Sequence, residues 1–600
     1  MTITTPDASG AAEALQAPTV CQAFQITAAQ RPSDTALRTL GGEVSLTWAE
    51  YADKARVMAA GLAALGLKRG DTFACMLVNR PEFHVFDAAA MHVGATSFSI
   101  YNTSSPEQIA YLFGDAAPSI VVTEMQFLDR IRESGAKLDH IVVVDGEAEG
   151  AITCDELAER GDPAFDFEAA WRAVEADDVL TLIYTSGTTG PPKGVELTHD
   201  NQMSVARSLR QVFDPGAGAQ VISFLPHAHI ADRGVLHYGS QIMGYTVTDC
   251  PDPKQLIAHL LDARPEVWGG VPRIWEKLKA ALEAGFAAEQ DDAKREGVQK
   301  ALEIGRQKVR LEQAGEPVPA ELQQQWEAMH DAVFLKIKGM LGLDRVRVSI
   351  VGAAPTPPEV MEFFAAIGLP ICEVWGMSET TAIATMNPPD RPRFGTVGPP
   401  IPGTEIKLDD DGEILVRGPI IMRGYRNQPE KTRETFTDDG WLRTGDIGQF
   451  TDEGYLKIVD RKKELIINAA GKNMSPANIE STLKSASPLI GQAVCVGDAR
   501  PYNVALIVLD PDVAPVAAQK LGMEGASLED IARDERVHGL IAQAVEQANA
   551  KLSRVEQIKK FTVLPAEWMP GGDELTPTMK LKRKPIAAKY EQEIEALYAG

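Results

Sequence analysis

With 600 residues, the chain exceeds the size at which a single hydrophobic core keeps growing, so at least two domains are expected. Its apolar fraction of 44% and charged fraction of 24% are those of an ordinary globular protein. A net charge of −25 argues against nucleic-acid binding and against strong electrostatic attachment to anionic lipid, since both require basic surface.

The cysteines and the N-terminal segment indicate the compartment. The six cysteines are far apart and form no CxxC pair, which is typical of a reducing compartment and gives no sequence-readable zinc or redox site. The sequence shows no signal-peptide pattern and no run of about 18 apolar residues. We therefore expect a soluble cytoplasmic protein without a transmembrane segment. Transient contact at a membrane surface stays open, and the sequence says nothing about the oligomeric state.

The first part of the chain predicts an α/β fold. Residues 1–16 are small and polar, and we expect them to be disordered. From Ser45 onwards, helical patterns at 46–66 and 81–94 alternate with short apolar strands such as TFACMLV at 72–78. This alternation is typical of sheets with substantially parallel strands.

The later part of the chain changes in character twice. Residues 275–340 are rich in Ala, Glu, Gln and Lys and predict a helical insertion that is solvated rather than catalytic, followed by a strand at 345–351. After Gly403, short strands and turns predict a β-rich distal part with a hairpin at Asp411-Gly412. We therefore predict a large domain over 17–460 and a small, mobile α+β domain over 461–600.

The stretch TLIYTSGTTGPPKG at 181–194 carries the strongest chemical signal. Glycines let backbone N–H groups approach an anion, while hydroxyls and a lysine add donors and positive charge. The loop is not a Walker A motif, because its lysine lies between Pro192 and Gly194. It predicts a phosphate cradle formed by Thr185, Ser186, Gly187, Thr188, Thr189, Gly190 and Lys193.

Together with motifs downstream, this loop resembles the adenylate-forming (acyl-activating) enzyme superfamily, and most closely its long-chain fatty acyl-CoA synthetases. The resemblance runs from about Leu46 to about Ile586. It implies ATP, Mg²⁺ and CoA as cofactors and co-substrate, and it assigns the loop to the β- and γ-phosphates of ATP.

The remaining nucleotide contacts follow from that resemblance. In CEVWGMSETTA at 372–382, Glu379 is expected to hold Mg²⁺ and Ser378 to contact phosphate, beside Gly376 and Trp375, which stands where tyrosine is usual. The turn that follows the strand at 345–351 is expected to receive adenine on Gly352, Ala353, Ala354 and Pro355.

The segment from Asp439 to Leu465 resembles the fatty acyl-CoA synthetase signature. Asp446 is expected to accept hydrogen bonds from the ribose hydroxyls, and Arg461 to make a second ribose or phosphate contact. Lys463 is expected to be the hinge between the domains.

Two further segments of the small domain match the family. Lys580 is the expected cation for adenylation, with Lys582 as the rival, although Met579 stands where the family usually has glycine. The loop NAAGKNMSPANIE at 468–480 resembles the one presented during thioester formation, with Gly471 allowing close approach of the pantetheine arm of CoA.

The segment FLPHAHIADR at 224–233 contains two histidines, with a third, His237, beyond it. This segment does not favour a zinc site, because no carboxylate or cysteine has matching spacing. The family resemblance instead implies that His229 lines the acyl entrance, with GGVPRIWEK at 269–277 as another wall.

These residues together predict ATP-dependent activation of a long-chain fatty acid to acyl-AMP, followed by transfer to CoA. The alternatives are a fatty acyl-AMP ligase that loads a carrier protein, an acid:CoA ligase for shorter or aromatic acids, and a nucleotide-binding sensor that adenylates nothing. The acyl chain length cannot be read from the sequence.

Overall fold

The computed structural model describes residues 9–185, 191–467, 473–576 and 579–599. Its strands are β1 (Thr35–Arg38), β2 (Ser45–Thr47), β3 (Thr72–Met76), β4 (Thr96–Ser99), β5 (Ile120–Thr123), β6 (His140–Val143), β7 (Ile152–Thr153), β8 (Val179–Thr185), β9 (Lys193–Thr198), β10 (Gln220–Ser223), β11 (Thr246–Asp249), β12 (Val267–Gly270), β13 (Val348–Val351), β14 (Ile371–Trp375), β15 (Thr385–Met386), β16 (Glu405–Leu408), β17 (Glu413–Arg417), β18 (Gly424–Tyr425), β19 (Leu442–Phe450), β20 (Leu456–Arg461), β21 (Ile466–Ile467), β22 (Asn473–Met474), β23 (Ile490–Val496), β24 (Asn503–Leu509) and β25 (Ile558–Val563).

The α helices are α1 (Ser9–Gln16), α2 (Val20–Gln30), α3 (Trp48–Ala64), α4 (Pro81–Val93), α5 (Pro106–Ala116), α6 (Met125–Glu133), α7 (Cys154–Arg160), α8 (Phe167–Arg172), α9 (His199–Val212), α10 (Gly239–Met243), α11 (Leu256–Ala263), α12 (Pro272–Ala288), α13 (Asp292–Ala314), α14 (Ala320–Met329), α15 (Leu335–Met340), α16 (Pro358–Ala366), α17 (Pro429–Thr435), α18 (Pro476–Ala486), α19 (Ala514–Lys520), α20 (Leu528–Arg533), α21 (Glu535–Lys551), α22 (Arg583–Lys589) and α23 (Glu591–Tyr598). None of the described helices is long and apolar enough to cross a membrane.

The predicted mixed α/β fold is confirmed. An eight-stranded sheet has the order β18-β9-β8-β4-β3-β5-β6-β7, and its members from β8 to β7 run parallel. Two four-stranded sheets, β10-β11-β1-β2 and β12-β13-β14-β15, are also mostly parallel. All four residues of β11 and four of the five residues of β14 are buried, as is usual for parallel strands that are covered on both faces.

The distal part and the small domain have antiparallel pairings. The sheet β16-β17-β19-β20 is antiparallel, and its first hairpin turns at Asp411-Gly412 as predicted, with Gly412 at φ +83°. Beyond it, β23-β24-β25 packs with α18 and α21 around a separate apolar core.

Two segments differ from or refine the predictions. Residues Ser9–Gln16, expected to be disordered, form α1, and the side chains of Ala14 and Leu15 are buried. Arg207 donates to the carbonyl oxygens of Leu15 and Ala17, so contacts distant in sequence hold this segment. The expected insertion consists of helices, and α13 packs against α16, where Gly305 lies close to the backbone of Ala366.

Candidate functional site

The expected phosphate loop follows β8 and precedes β9, which are neighbours near one edge of the eight-stranded sheet. The two strands are antiparallel, and Thr185 lies opposite Lys193 at the end where the loop joins them. The predicted contacts Ser186, Gly187, Thr188, Thr189 and Gly190 lie outside the described residues. Lys193 is half-buried, and this burial lowers the pKa of its ammonium group, although the nearby Glu379 carboxylate opposes the shift.

A tyrosine that sequence reasoning missed joins the loop lysine to the expected metal ligand. The Lys193 ammonium lies 3.9 Å from the centre of the Tyr425 ring, and the Tyr425 hydroxyl donates to Glu379 Oε1 at 2.7 Å. Glu379 itself is buried in a short 3₁₀ turn, Ser378–Thr380. Tyr425 lies 46 residues from Glu379 in sequence, and no local pattern indicates that they meet.

The expected adenine turn lies at the carboxyl end of a parallel strand pair. Val351 of β13 is in register with Glu373 of β14, so the turn after β13 lies beside the end of β14, where ligands bind in open α/β sheets. Ala353 takes a left-handed φ of +72°, and Ala353, Ala354 and Pro355 are exposed.

Two glycines at this edge allow close packing. A Cβ on Gly352 would meet the Val374 side chain at 2.9 Å, and one on Gly376 would meet the Ala382 carbonyl oxygen at 2.1 Å. These positions therefore accept no larger residue without backbone movement.

Asp446, the residue expected to bind the ribose, is buried between the indole of Trp375 and the guanidinium of Arg461. Trp375 Nε1 donates to Asp446 Oδ2 at 2.9 Å, and Arg461 Nε lies 3.1 Å from Asp446 Oδ1. The second contact lacks hydrogen-bond geometry, so Asp446 Oδ1 is buried without a hydrogen-bond partner among the described residues. Buried acceptors are normally satisfied, and a ribose hydroxyl would satisfy this one.

Charged groups of this site act on Lys580 of the small domain. Desolvation and the charge of Arg461 lower the pKa of Lys580, while Asp446 and Glu379 oppose the shift. Its rival Lys582 donates to the carbonyl oxygen of Gly572 within the small domain. Of the two lysines, Lys580 is therefore the better candidate for the adenylation cation.

Met579 occupies the position where the family usually has glycine. Its φ of +64° is left-handed, a conformation that glycine adopts without strain. Its two preceding neighbours lie outside the described residues.

The two neighbours of Lys463, the expected hinge residue, contact different domains. Lys462 bonds to Glu413 at 2.9 Å and to Asp411, both in the distal part of the large domain. On the other side of Lys463, Glu464 pairs with Arg583 of the small domain at 3.0 Å. Lys463 is exposed, and Gly471, the expected CoA contact, lies outside the described residues.

His229 is half-buried after β10. Its Nδ1 accepts from the backbone N–H of Ala231 at 3.2 Å. Burial and the nearby charge of Lys580 lower the pKa of His229 to about 4, so its imidazole is neutral near pH 7. The segment at 269–277, expected to be another wall of the acyl entrance, also contacts the small domain. Its Arg273 forms an ion pair with Asp510.

A buried polar cluster lies next to this segment. His227, Asp232, Arg233 and His237 belong to the loop and to the π-helical turn Ala231–Tyr238 that follows it. Burial lowers the pKa of His227 and of His237, the latter to about 3, so both imidazoles are neutral near pH 7.

The family of the chain is shown by comparison with known proteins. Residues 24–426 match the model of the AMP-binding enzymes, and residues 463–600 match that of the AMP-binding enzyme C-terminal domain. The chain belongs to the AMP-binding enzyme family.

Individual relatives are similar over most of their length. The chain is 50% identical over 456 residues to a putative fatty-acid–CoA ligase, fadD11, of Mycobacterium tuberculosis (strain H37Rv), with 76% of this chain and 79% of that protein covered. It is 35% identical over 570 residues to the long-chain-fatty-acid–CoA ligase FadD15 of the same strain, with 92% of each covered. Among solved structures, ATP-bound MatB from Rhodopseudomonas palustris is 25% identical, with a TM-score of 0.68 and 95% and 99% of the two chains covered.

Proposed function

We propose that this protein is an AMP-forming ligase that joins a long-chain fatty acid to CoA. The observation that carries the proposal is that Glu379 and Asp446 of the large domain are near enough to Lys580 of the small domain for their charges to raise its pKa. The names of the relatives, fatty-acid–CoA ligase and long-chain-fatty-acid–CoA ligase, support the substrate class.

ATP would lie across the ends of β8, β13 and β14. Its adenine would contact the exposed turn Gly352, Ala353, Ala354 and Pro355, and its ribose hydroxyls would donate to Asp446. Its β- and γ-phosphates would lie near Lys193 and the loop from Thr185 to Gly190. The ATP-bound state of the similar MatB structure supports the nucleotide assignment.

The residues around Glu379 fit a magnesium site. Its carboxylate is the oxygen ligand that Mg²⁺ prefers, and Tyr425 fixes its orientation by donating to one oxygen. When bound, the ion would neutralise phosphate charge, and Ser378 would supply a hydroxyl to the phosphates. Lys193 would add a second positive charge nearby.

In the first half-reaction, a fatty carboxylate oxygen attacks the α-phosphorus of ATP, and the bond to the β-phosphate oxygen breaks. The products are acyl-AMP and pyrophosphate. Lys580 would stabilise the charge shared by the carboxylate and the α-phosphoryl oxygens. Neutral His229, which is close enough to Lys580 for its pKa to be affected, would line the entrance without repelling the acyl chain.

In the second half-reaction, the CoA sulfur attacks the acyl carbonyl carbon, the thiol proton is lost, and AMP leaves. The Gly471 loop would then replace Lys580 in the cleft by rotation at Lys463. Contacts of Lys462 to one domain and of Glu464 to the other support this hinge position.

Separate assays of the two half-reactions test the proposal. Pyrophosphate release with ATP and a C12–C18 fatty acid series, followed by chromatography of acyl-AMP and acyl-CoA, should show acyl-CoA formation only when CoA is present. Acyl-AMP that reacts with a carrier protein but not with CoA would favour the acyl-AMP ligase. A preference for benzoate or short acids would favour an acid:CoA ligase for shorter or aromatic acids. Absence of pyrophosphate release would favour a nucleotide-binding sensor that adenylates nothing.

A further inference from the structure

Side chains from three separate segments meet beside the polar cluster described above. His84 lies on α4, His227 follows β10, and Asp249 ends β11. One ligand atom of each lies within 4.8 Å of the other two, and all three side chains are buried. No sequence pattern indicates this group, because its members are separated by 143 and 22 residues (227 − 84 and 249 − 227).

Of the two ring nitrogens of His227, only Nδ1 has a hydrogen-bond partner among the described residues. His227 Nδ1 lies 2.7 Å from Asp232 Oδ1, and Asp232 also accepts from the Ser223 hydroxyl at 3.0 Å. An ionised carboxylate only accepts, so His227 Nδ1 donates and His227 Nε2 keeps its lone pair. That nitrogen is buried without a hydrogen-bond partner among the described residues.

A second series of contacts positions His84 and Asp249. His237 Nε2 lies 3.0 Å from Asp87 Oδ1, and His237 Nδ1 lies 2.7 Å from His84 Nδ1. His84 Nε2 faces Asp249 Oδ1 at 3.0 Å, so these two atoms are close enough to be ligands of one ion.

The carboxylate of the group also has an unpaired oxygen. Asp249 Oδ2 is buried without a hydrogen-bond partner among the described residues. Buried acceptors are normally satisfied, and a bound cation would satisfy this oxygen and His227 Nε2 together.

We propose that His84, His227 and Asp249 form a buried site for a divalent transition-metal ion, and that zinc is its preferred occupant. Two imidazoles and a carboxylate are a zinc ligand set, with a water as fourth ligand. Asp232 and His237 hold the outer nitrogens of the two imidazoles, as the outer-shell partners of zinc ligands do. The ion would tie the loop that carries His229 to α4 and β11.

Metal analysis of the full-length protein tests the proposal. After expression in zinc-supplemented medium and desalting into metal-free buffer, elemental mass spectrometry should find about one zinc per chain. Protein loaded with Co²⁺ should show the intense visible absorption of a four-coordinate site. Less than about a tenth of an equivalent of zinc, nickel, cobalt, iron and copper, with no such absorption from Co²⁺, would overturn the proposal and leave a proton between His84 and Asp249.

Matched histidine variants locate the site. His227→Asn should lower the zinc content at least about tenfold, and Asp232→Asn should weaken zinc binding by about 10–100-fold. His259→Asn is the control, because His259 is also buried with Nε2 unpartnered but has no second ligand of the group nearby. Equal zinc content in His227→Asn and His259→Asn would overturn the assignment, and if His227→Asn fails to fold, the wild-type metal content decides.

Discussion

Trp375 donates its indole N–H to Asp446 Oδ2 at 2.9 Å, across 71 residues of sequence. The bond connects the end of β14 to β19, and it orients the carboxylate so that its second oxygen remains available. Tryptophan in place of the usual tyrosine therefore has a structural use here, since its ring nitrogen reaches a buried acceptor.

Trp375→Phe should weaken ATP binding. A hydrogen bond to a charged group contributes about 1.5–3 kcal/mol, so we expect the KM for ATP to rise about tenfold or more while the KM for fatty acid changes little. Steady-state kinetics with each substrate varied in turn measures this. Trp326→Phe, which removes an indole bond to the Ala366 carbonyl in the helical insertion, is the control. An unchanged KM for ATP would contradict the ribose assignment.

Lys580→Ala should abolish acyl-AMP formation but spare the attack of CoA on supplied acyl-AMP. Loss of one charge that stabilises the transition state typically costs about 10²–10³ in rate. Pyrophosphate release measures the first step, and acyl-CoA formation from synthetic acyl-AMP measures the second. Lys582→Ala should retain adenylation, because Lys582 bonds to Gly572. Equal losses in both steps for Lys580→Ala would give that residue a structural role.

Glu379→Gln should raise the Mg²⁺ concentration needed for adenylation, because a neutral amide binds a hard cation less well than a carboxylate. Titration of Mg²⁺ at saturating ATP measures the change. Tyr425→Phe keeps the carboxylate but removes its hydrogen-bond donor, so it should shift the Mg²⁺ requirement in the same direction by a smaller amount. Wild-type metal dependence in Glu379→Gln would place the ligand elsewhere.

Lys463→Pro should separate the half-reactions. Proline fixes φ near −65° and restricts Lys462 before it, which would freeze the junction between the domains. Because Asp446 and Glu379 are near enough to Lys580 in this structure to affect its pKa, we expect adenylation to persist and thioester formation to be mostly lost. Lys463→Ala, which leaves the backbone free, is the control. A folded proline variant that makes acyl-CoA at the wild-type rate would exclude this hinge position.

Glu373 should make the protein less stable as pH rises. Burial raises the pKa of its carboxyl to about 7, so the folded protein holds this proton at pH values where the unfolded chain has lost it. Between pH 4.5 and about 7 the contribution of Glu373 to the free energy of unfolding therefore falls, by at most about 3 kcal/mol.

Glu373→Gln tests this expectation. Chemical denaturation at several pH values should show the variant gaining stability relative to wild type as pH rises through this range. Glu434→Gln, at an exposed site, should show no such trend. A difference between Glu373→Gln and wild type that is independent of pH would contradict the shift.

The fold class, the order of the motifs and several local elements were predictable from the sequence. The capping box of α3, formed by Thr47 and Glu50, and the turn at Asp411-Gly412 depend on neighbouring residues, so short-range rules predict them. A short-range rule was wrong for α1, because this helix packs into the core and its end is bonded by Arg207, far along the chain.

Which side chains meet becomes known only from the fold. The fold brings Tyr425 to Glu379, pairs Lys582 with the Gly572 carbonyl oxygen, and places His84 and Asp249 beside His227. Each of these depends on strands and loops from distant segments ending at a common edge, and local backbone preferences carry no information about such encounters. The balance of buried charge and the pairing of buried polar atoms become visible only once the fold has removed them from water.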